Sequence, residues 1–198
     1  MDNLPVVQKL SMARYEHKDI PVYLSAPEVQ AMLDTCIDNK RDHLLINVLW
    51  QTGCRITEAL KVTRNDIDTY NLSIKVLTEK QRNKNSKPVY RVIPITAELS
   101  NELASYALTE NITDRLFDIT RQRAFQIIKA VANRAGITKP VHPHTLRHSF
   151  AVCCISQGVP LPVVKDLLGH SSVLTTMVYL RIVQQDARQF LSQVRFNP

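Results

Sequence analysis

The chain is expected to be mainly α-helical with one small antiparallel β-sheet, an α+β arrangement. Three observations predict it. Apolar residues recur at helical spacing through most of the 198 residues, the stretch from Leu72 to Ile95 switches to a period of two, and the glycines stand where helical segments stop. An apolar fraction of 44% suits a globular chain with a real core.

Residues 1–22, with Pro5 and Pro21, read as an extension or linker ahead of a single unit over 23–198. Ser25-Ala-Pro-Glu28 reads as a helix start: Ser25 caps, Pro27 fits the first turn and Glu28 reaches back. This helix runs to about Cys36. The next covers Asp42 to Gln51, with Leu44, Leu45, Val48 and Leu49 on its apolar face and Gly53 as its stop, and a third begins near Thr57. Leu72, Ile74 and Val76 then alternate with polar residues, as do Val89, Arg91, Ile93 and Ile95 more loosely. With the basic stretch EKQRNKNSKP between them, they read as a hairpin with a long charged tip. Thr96 caps a helix to about Leu108. Further helices span Thr120–Ala135, closed by Gly136, and His144–Gln157, closed by Gly158. Short helices over Leu161–Leu168, Leu174–Leu180 and Gln184–Val194 finish the chain.

Lys+Arg is 25 against Asp+Glu 18, a formal charge of +7, which favours polyanionic partners with nucleic acid first. Charge alone fits an ordinary basic surface as well. The four cysteines form no C-x-x-C pair, and the neighbours Cys153 and Cys154 diverge too much to bridge each other, so a reduced chain is expected. The N-terminus lacks a signal-peptide pattern, and no run approaches the roughly 20 apolar residues that span a bilayer. A cytoplasmic location follows by default.

Four places carry candidate chemistry. In Gly53-Cys-Arg55-Ile-Thr-Glu58, Arg55 follows a glycine stop and can offer a planar fork to a phosphate, with Glu58 one helical turn on to hold it. An ordinary surface ion pair fits the same spacing. The hairpin carries Lys80, Arg82, Lys84, Lys87 and Arg91, which suits a DNA groove or backbone, or a lysine that protonates a leaving oxygen; a solvated charged loop fits equally. In His142-Pro-His144-Thr-Leu-Arg147-His148, His144 and Arg147 share a helix face, so an acid–base group lies beside a phosphate clamp, with His148 a candidate support. Three clustered histidines raise a metal site, but there is no H-E-x-x-H pattern and no nearby acidic ligand, so no metal is expected. In Leu168-Gly169-His170-Ser-Ser-Val-Leu-Thr175-Thr176-Met-Val-Tyr179, a glycine-bounded turn presents His170 and a short helix presents Tyr179. A lone tyrosine there is more often a packing residue.

Together these places resemble the tyrosine recombinase (phage integrase) family, in which Arg, Lys, His-x-x-Arg, His and Tyr occur in this order. The resemblance covers roughly residues 23 to 195, the family's catalytic domain, and rests on P-H-T-L-R-H-S-F-A, L-G-H-S-S-x-x-T-T-x-x-Y and G-C-R-I-T-E-A-L. It implies Tyr179 as nucleophile, Arg55 and Arg147 on the scissile phosphate, His144 as the base, and His170 bonded to a phosphate oxygen. Lys80 is the implied general acid, with Lys84 and Lys87 as rivals. It also implies double-stranded DNA as substrate, a homotetramer on that DNA with the C-terminal segment docking on a neighbour, and accessory DNA-bending proteins. The outcome would be integration, resolution or inversion of a plasmid or mobile element. Most members carry a further N-terminal helical domain that residues 1–22 are too short to form. Compact fimbrial-switch recombinases are one precedent for that, and a separated catalytic domain is the other reading.

The expected chemistry needs no cofactor. A free phenol titrates near 10, so Tyr179 needs a base or positive charge to attack. Two arginines stabilise the transition state, and the phosphotyrosyl bond conserves the energy for rejoining, with no G-x-x-x-x-G-K-[ST] loop in the chain. A type IB topoisomerase-like enzyme shares this chemistry, and a DNA-binding regulator that lost catalysis is the alternative from another class.

Overall fold

The computed structural model describes residues 21–78 and 88–183. Eight α-helices are set among these residues: α1 Ala26–Thr35, α2 Lys40–Thr52, α3 Ile56–Ala59, α4 Ala97–Thr109, α5 Arg121–Arg134, α6 Pro143–Ser156, α7 Leu161–Leu168 and α8 Leu174–Val183. Strands β1 Ile67–Asp68, β2 Ser73–Leu77 and β3 Tyr90–Pro94 form one antiparallel sheet in the order β1-β2-β3. The expected mainly helical fold with one small sheet is therefore present. The expected last helix, Gln184–Val194, lies outside the described residues, as do Lys80, Arg82, Lys84 and Lys87.

Local signals set the boundaries. Glu28 Oε2 accepts from both the amide and the hydroxyl of Ser25 at the start of α1. Asn39 caps α2 by accepting from the Asp42 amide, so that helix begins two residues earlier than its apolar periodicity indicates. Thr96 and Thr120 cap α4 and α5 through the Leu99 and Arg123 amides. The sheet has one strand more than the hairpin pattern predicts. β1 is two residues long, follows a 3-10 turn at Arg64–Asp66, and pairs Ile67 with Ile74. Two residues are too few to show a period, which is why the pattern misses it.

α2 is buried nearly all round. Leu44, Leu45, Ile46, Val48 and Leu49 are all fully buried, because α4 packs on one side of the helix and α6 on another. Each such side chain contributes roughly 1.5–3 kcal/mol on burial. One hydrophobic cluster joins α1 to α5 with Ile74, Val76 and Ile93 of the sheet. A second, smaller one holds Phe150, Ala151, Val152 and Ile155 of α6, Val164 and Leu168 of α7, and Tyr179 of α8. The candidate chemistry sits where these two clusters meet.

Gly53 fixes that junction. It ends α2 at φ +58°, and a Cβ there would collide with the Phe150 ring and come within 2.9 Å of Leu168 Cδ2. The backbones of α2 and α6 thus approach through a gap that admits no side chain. All four cysteines are free. Burial pushes the thiols of Cys36, Cys54 and Cys154 up to about 11, leaving them protonated at neutral pH.

Candidate active site

Arg55 precedes the single turn of α3, with Glu58 at the third position of that turn. Glu58 Oε2 accepts from the Arg55 amide at 2.9 Å, and Arg55 Nη1 donates to Oε1 at 2.8 Å. Glu58 is fully buried, so this is not a solvated surface pair. Burial alone would raise its carboxyl, but the hydrogen bonds and charges of Arg91 and Arg55 override that and hold it at about 2. The carboxylate stays ionised and keeps both cations in place.

Arg147 is 3% exposed on α6. Nη1 donates to the Gly53 carbonyl at 2.8 Å and Nη2 to the Leu168 carbonyl at 2.8 Å. Burial, and next the Arg55 charge, push it down to about 10, still a cation at neutral pH. Both anchors are backbone oxygens at chain reversals, so the guanidinium is held without consuming a carboxylate.

The C-terminus of α7 shows how sequence builds the next piece. Its last four carbonyls have no partners inside the helix. His170 N donates to Lys165 O and Gly169 N to Asp166 O, each at 3.0 Å. Arg91 Nε takes Leu167 O at 3.0 Å, and Arg147 takes Leu168 O. Two arginines therefore sit at the negative end of the helix dipole, and the αL glycine after it presents His170. His170 Nδ1 is 2.9 Å from Thr176 Oγ1, a fully buried hydroxyl at the start of α8.

Tyr179 lies one helical turn beyond Thr176 and is 3% exposed. Its Oη is hydrogen-bonded at 2.7 Å to Nδ1 of His148. Burial raises the phenol, and the Arg147 charge pulls it back in part. The same burial, reinforced by His144 and Arg147, pushes His148 down to about 4. His144, expected as the base, is exposed on the same helix with its ring centroid 6.4 Å from that of His148. Partial burial and the neighbouring cations, Arg147 first, lower it as well. His142 stacks on Phe125 at the N-terminus of α6, with ring centroids 6.0 Å apart.

Of the expected site residues, Arg55, Arg147, His170 and Tyr179 converge between α3, α6, α7 and α8, with His144 at the rim. Arg91 departs from expectation. Placed with the DNA-facing hairpin cations on sequence, it instead turns inward from β3, 9% exposed, onto Glu58. A signal for this was present: the alternation that buries Ile93 and Ile95 puts Arg91 on the same face, and its Cα pairs with that of buried Val76. Sequence reasoning also gave His148 only a supporting role, and missed Thr176 and the α7 carbonyls. Among the described residues, no group of three or more His, Cys, Asp or Glu is placed to hold a metal ion. No helix among them is long and apolar enough to cross a membrane.

Arg55, Arg147, His148, His170 and the Tyr179 phenol are thus gathered between α3, α6, α7 and α8, a cationic setting around one buried hydroxyl. The chain belongs to the phage integrase family, whose pattern matches residues 23–186. It is 34% identical over 173 residues to a tyrosine recombinase of Pseudothermotoga lettingae, covering 84% of this chain and 58% of that protein. It is 36% identical over 182 residues to tyrosine recombinase XerD of Bifidobacterium longum, covering 82% and 59%. A resolvase of Escherichia coli is 32% identical, covering 92% of this chain and 82% of the resolvase. The fold matches XerA recombinase at a TM-score of 0.74 and 28% identity, over 90% of this chain and 67% of that one. It matches the catalytic domain of bacteriophage HP1 integrase at 0.64 and 26%, over 89% and 95%. The chain thus spans about three-fifths of the length of the first two of these recombinases.

Proposed function

We propose that this protein is a site-specific DNA recombinase, with residues 23–198 as its catalytic unit and Tyr179 as its nucleophile. The observation that carries the reading is the placement of the Tyr179 hydroxyl. It is buried, 2.7 Å from an imidazole, and close enough to Arg147 for that charge to act on it. A packing tyrosine also needs a partner for its hydroxyl, but not an arginine charge beside it.

In the proposed reaction Tyr179 Oη attacks the scissile phosphorus, forming a 3′-phosphotyrosyl bond as the bond to the 5′-oxygen breaks. Arg55 and Arg147 neutralise the charge on the non-bridging oxygens, and His170, steadied by Thr176, donates to one of them. The phenol proton passes to His144. His148 is too depressed to hold a proton at neutral pH, so it orients the hydroxyl instead. The 5′-oxygen leaves with a proton from a hairpin lysine, Lys80 by the family resemblance. The phenol is 3% exposed, so whatever covers it has to give way before attack. Reversal with a second 5′-hydroxyl rejoins the strand, with no external energy source. The substrate is double-stranded DNA, engaged by a homotetramer with accessory bending proteins where the site demands them. Among integration, inversion and resolution, the resolvase relative supports resolution.

The test is a nicked suicide duplex carrying DNA that flanks the native locus, with denaturing electrophoresis for a protein–DNA adduct. Wild type should give a band and Tyr179→Phe none, with DNA binding retained. A band persisting in Tyr179→Phe would place the nucleophile elsewhere. Relaxation of supercoils without crossover products would favour the topoisomerase alternative. Arg147→Ala should lower the cleavage rate by about 10²- to 10³-fold while changing duplex affinity only slightly, since it serves one phosphate among many contacts. Equal losses in both would remove it from the transition state.

A further inference from the structure

We propose that Arg91 is a positioning residue of this site. It sets Arg55 and His170 relative to each other from inside the protein and touches no DNA phosphate. The proposal rests on the recombinase reading for its activity test alone.

The guanidinium joins three separate pieces of the fold to β3 through four sets of contacts. Nη2 donates to Glu58 Oε2 at 2.9 Å and Nη1 lies 3.4 Å from Oε1, on the carboxylate that holds Arg55. Nη1 donates to Thr78 Oγ1 at 2.8 Å, just past the end of β2. Nε donates to the Leu167 carbonyl at 3.0 Å, in the last turn before Gly169-His170. The fourth contact is steric. Gly169 has φ +65°, and a Cβ on it would lie 2.8 Å from Arg91 Cζ, so the guanidinium packs directly on the turn that presents His170.

Arginine is required by this geometry. Only a planar fork reaches a carboxylate, a hydroxyl and a carbonyl at once, whereas a lysine ammonium is a single point. With its side chain 9% exposed and four of its five N–H donors committed among the described residues, Arg91 offers DNA little free edge. Because a displacement of about 1 Å in a catalytic group can cost on the order of 10²-fold in rate, this network bears on catalysis without entering it.

The experiment compares wild type with Arg91→Ala, Arg91→Gln and Arg91→Lys, with thermal melting used to score only folded protein. Single-turnover cleavage of the suicide duplex at saturating protein should fall about 10²-fold in Arg91→Ala. Arg91→Gln should fall similarly, and Arg91→Lys should recover only part of the rate. The slope of log affinity against log salt should not change in any variant. A slope reduced by about 1 would show that Arg91 contacts a phosphate, overturning the proposal. Wild-type cleavage in Arg91→Ala, or full rescue by lysine, would overturn it too. Absence of an adduct with wild type counts against the recombinase reading and not against this one. Histidine-ring NMR then decides: Arg91→Gln should shift the His170 signals and leave those of His142 in place, and unmoved His170 signals would overturn the proposal.

Discussion

Glu58 and Tyr179 are both acids buried within reach of the Arg147 charge, yet they are kept in opposite states. Glu58 has two arginines bonded to its oxygens and is held ionised at about 2. Tyr179 has a neutral imidazole on its hydroxyl and, among the described residues, the Arg147 field as counter-charge, so burial wins and the phenol is raised. The difference lies in hydrogen-bonded cations, not in depth. On the proposed reading the Arg55 side is a phosphate clamp that has to be charged before its ligand arrives, and its carboxylate is bonded to two guanidiniums. On the same reading the nucleophile has to be inert until then, and a phenol raised by burial beside a neutral imidazole meets that need.

The largest break in this comparison is Glu58→Gln. It leaves Arg55 and Arg91 facing each other across a neutral amide. Removing one member of a buried charged cluster costs about 3–5 kcal/mol. Denaturant unfolding should show a loss of that order; a change under 1 kcal/mol would mean that the carboxylate is dispensable.

A smaller effect separates the two regions by pH. His148 titrates at about 4 in the fold against an ordinary 6.5, so between those values the unfolded chain takes its proton and the folded one does not. Stability from this neutral imidazole is complete above about 6.5 and drains as pH falls toward 4. Glu58 is lowered from 4.5 to about 2, so its share is complete above 4.5 and drains below it. Melting temperature should decline across both windows, and His148→Asn should make the upper decline shallower, leaving the share of His144, and should not touch the lower one. An upper decline as steep as in wild type would assign that window to His144 and not to His148.

The smallest expected change is Tyr179→Phe, which removes one hydrogen bond and no charge. It should lower stability by about 1 kcal/mol in the same unfolding assay. A loss comparable with that of Glu58→Gln would show that the phenol is part of the ionic framework after all.

Much of the site was legible because its motifs are local. H-T-L-R-H-S and L-G-H-S-S-V-L-T-T-M-V-Y each keep their candidate side chains within a short stretch of chain, so spacing alone puts His144 beside Arg147 and His170 nine residues ahead of Tyr179. The αL glycines mark the turns that present them, since few other residues take that conformation. Capping residues located most helix starts, and the period change located the sheet. The sequence by itself thus determined the helical fold and its small antiparallel sheet, and it named the candidate arginines, histidines and tyrosine that the fold brings together.

Partner choice belonged to tertiary structure. Arg91 and Glu58 are 33 residues apart, Arg91 and Leu167 are 76 apart, and Arg147 and Gly53 are 94 apart. No local pattern encodes such pairs. They depend on how the two hydrophobic clusters pack, and that packing decided that Arg91 faces inward, that His148 and not His144 holds the phenol, and that an arginine closes the end of α7. Burial then assigned the charges: with water excluded, each group's protonation follows the few polar atoms it was folded against.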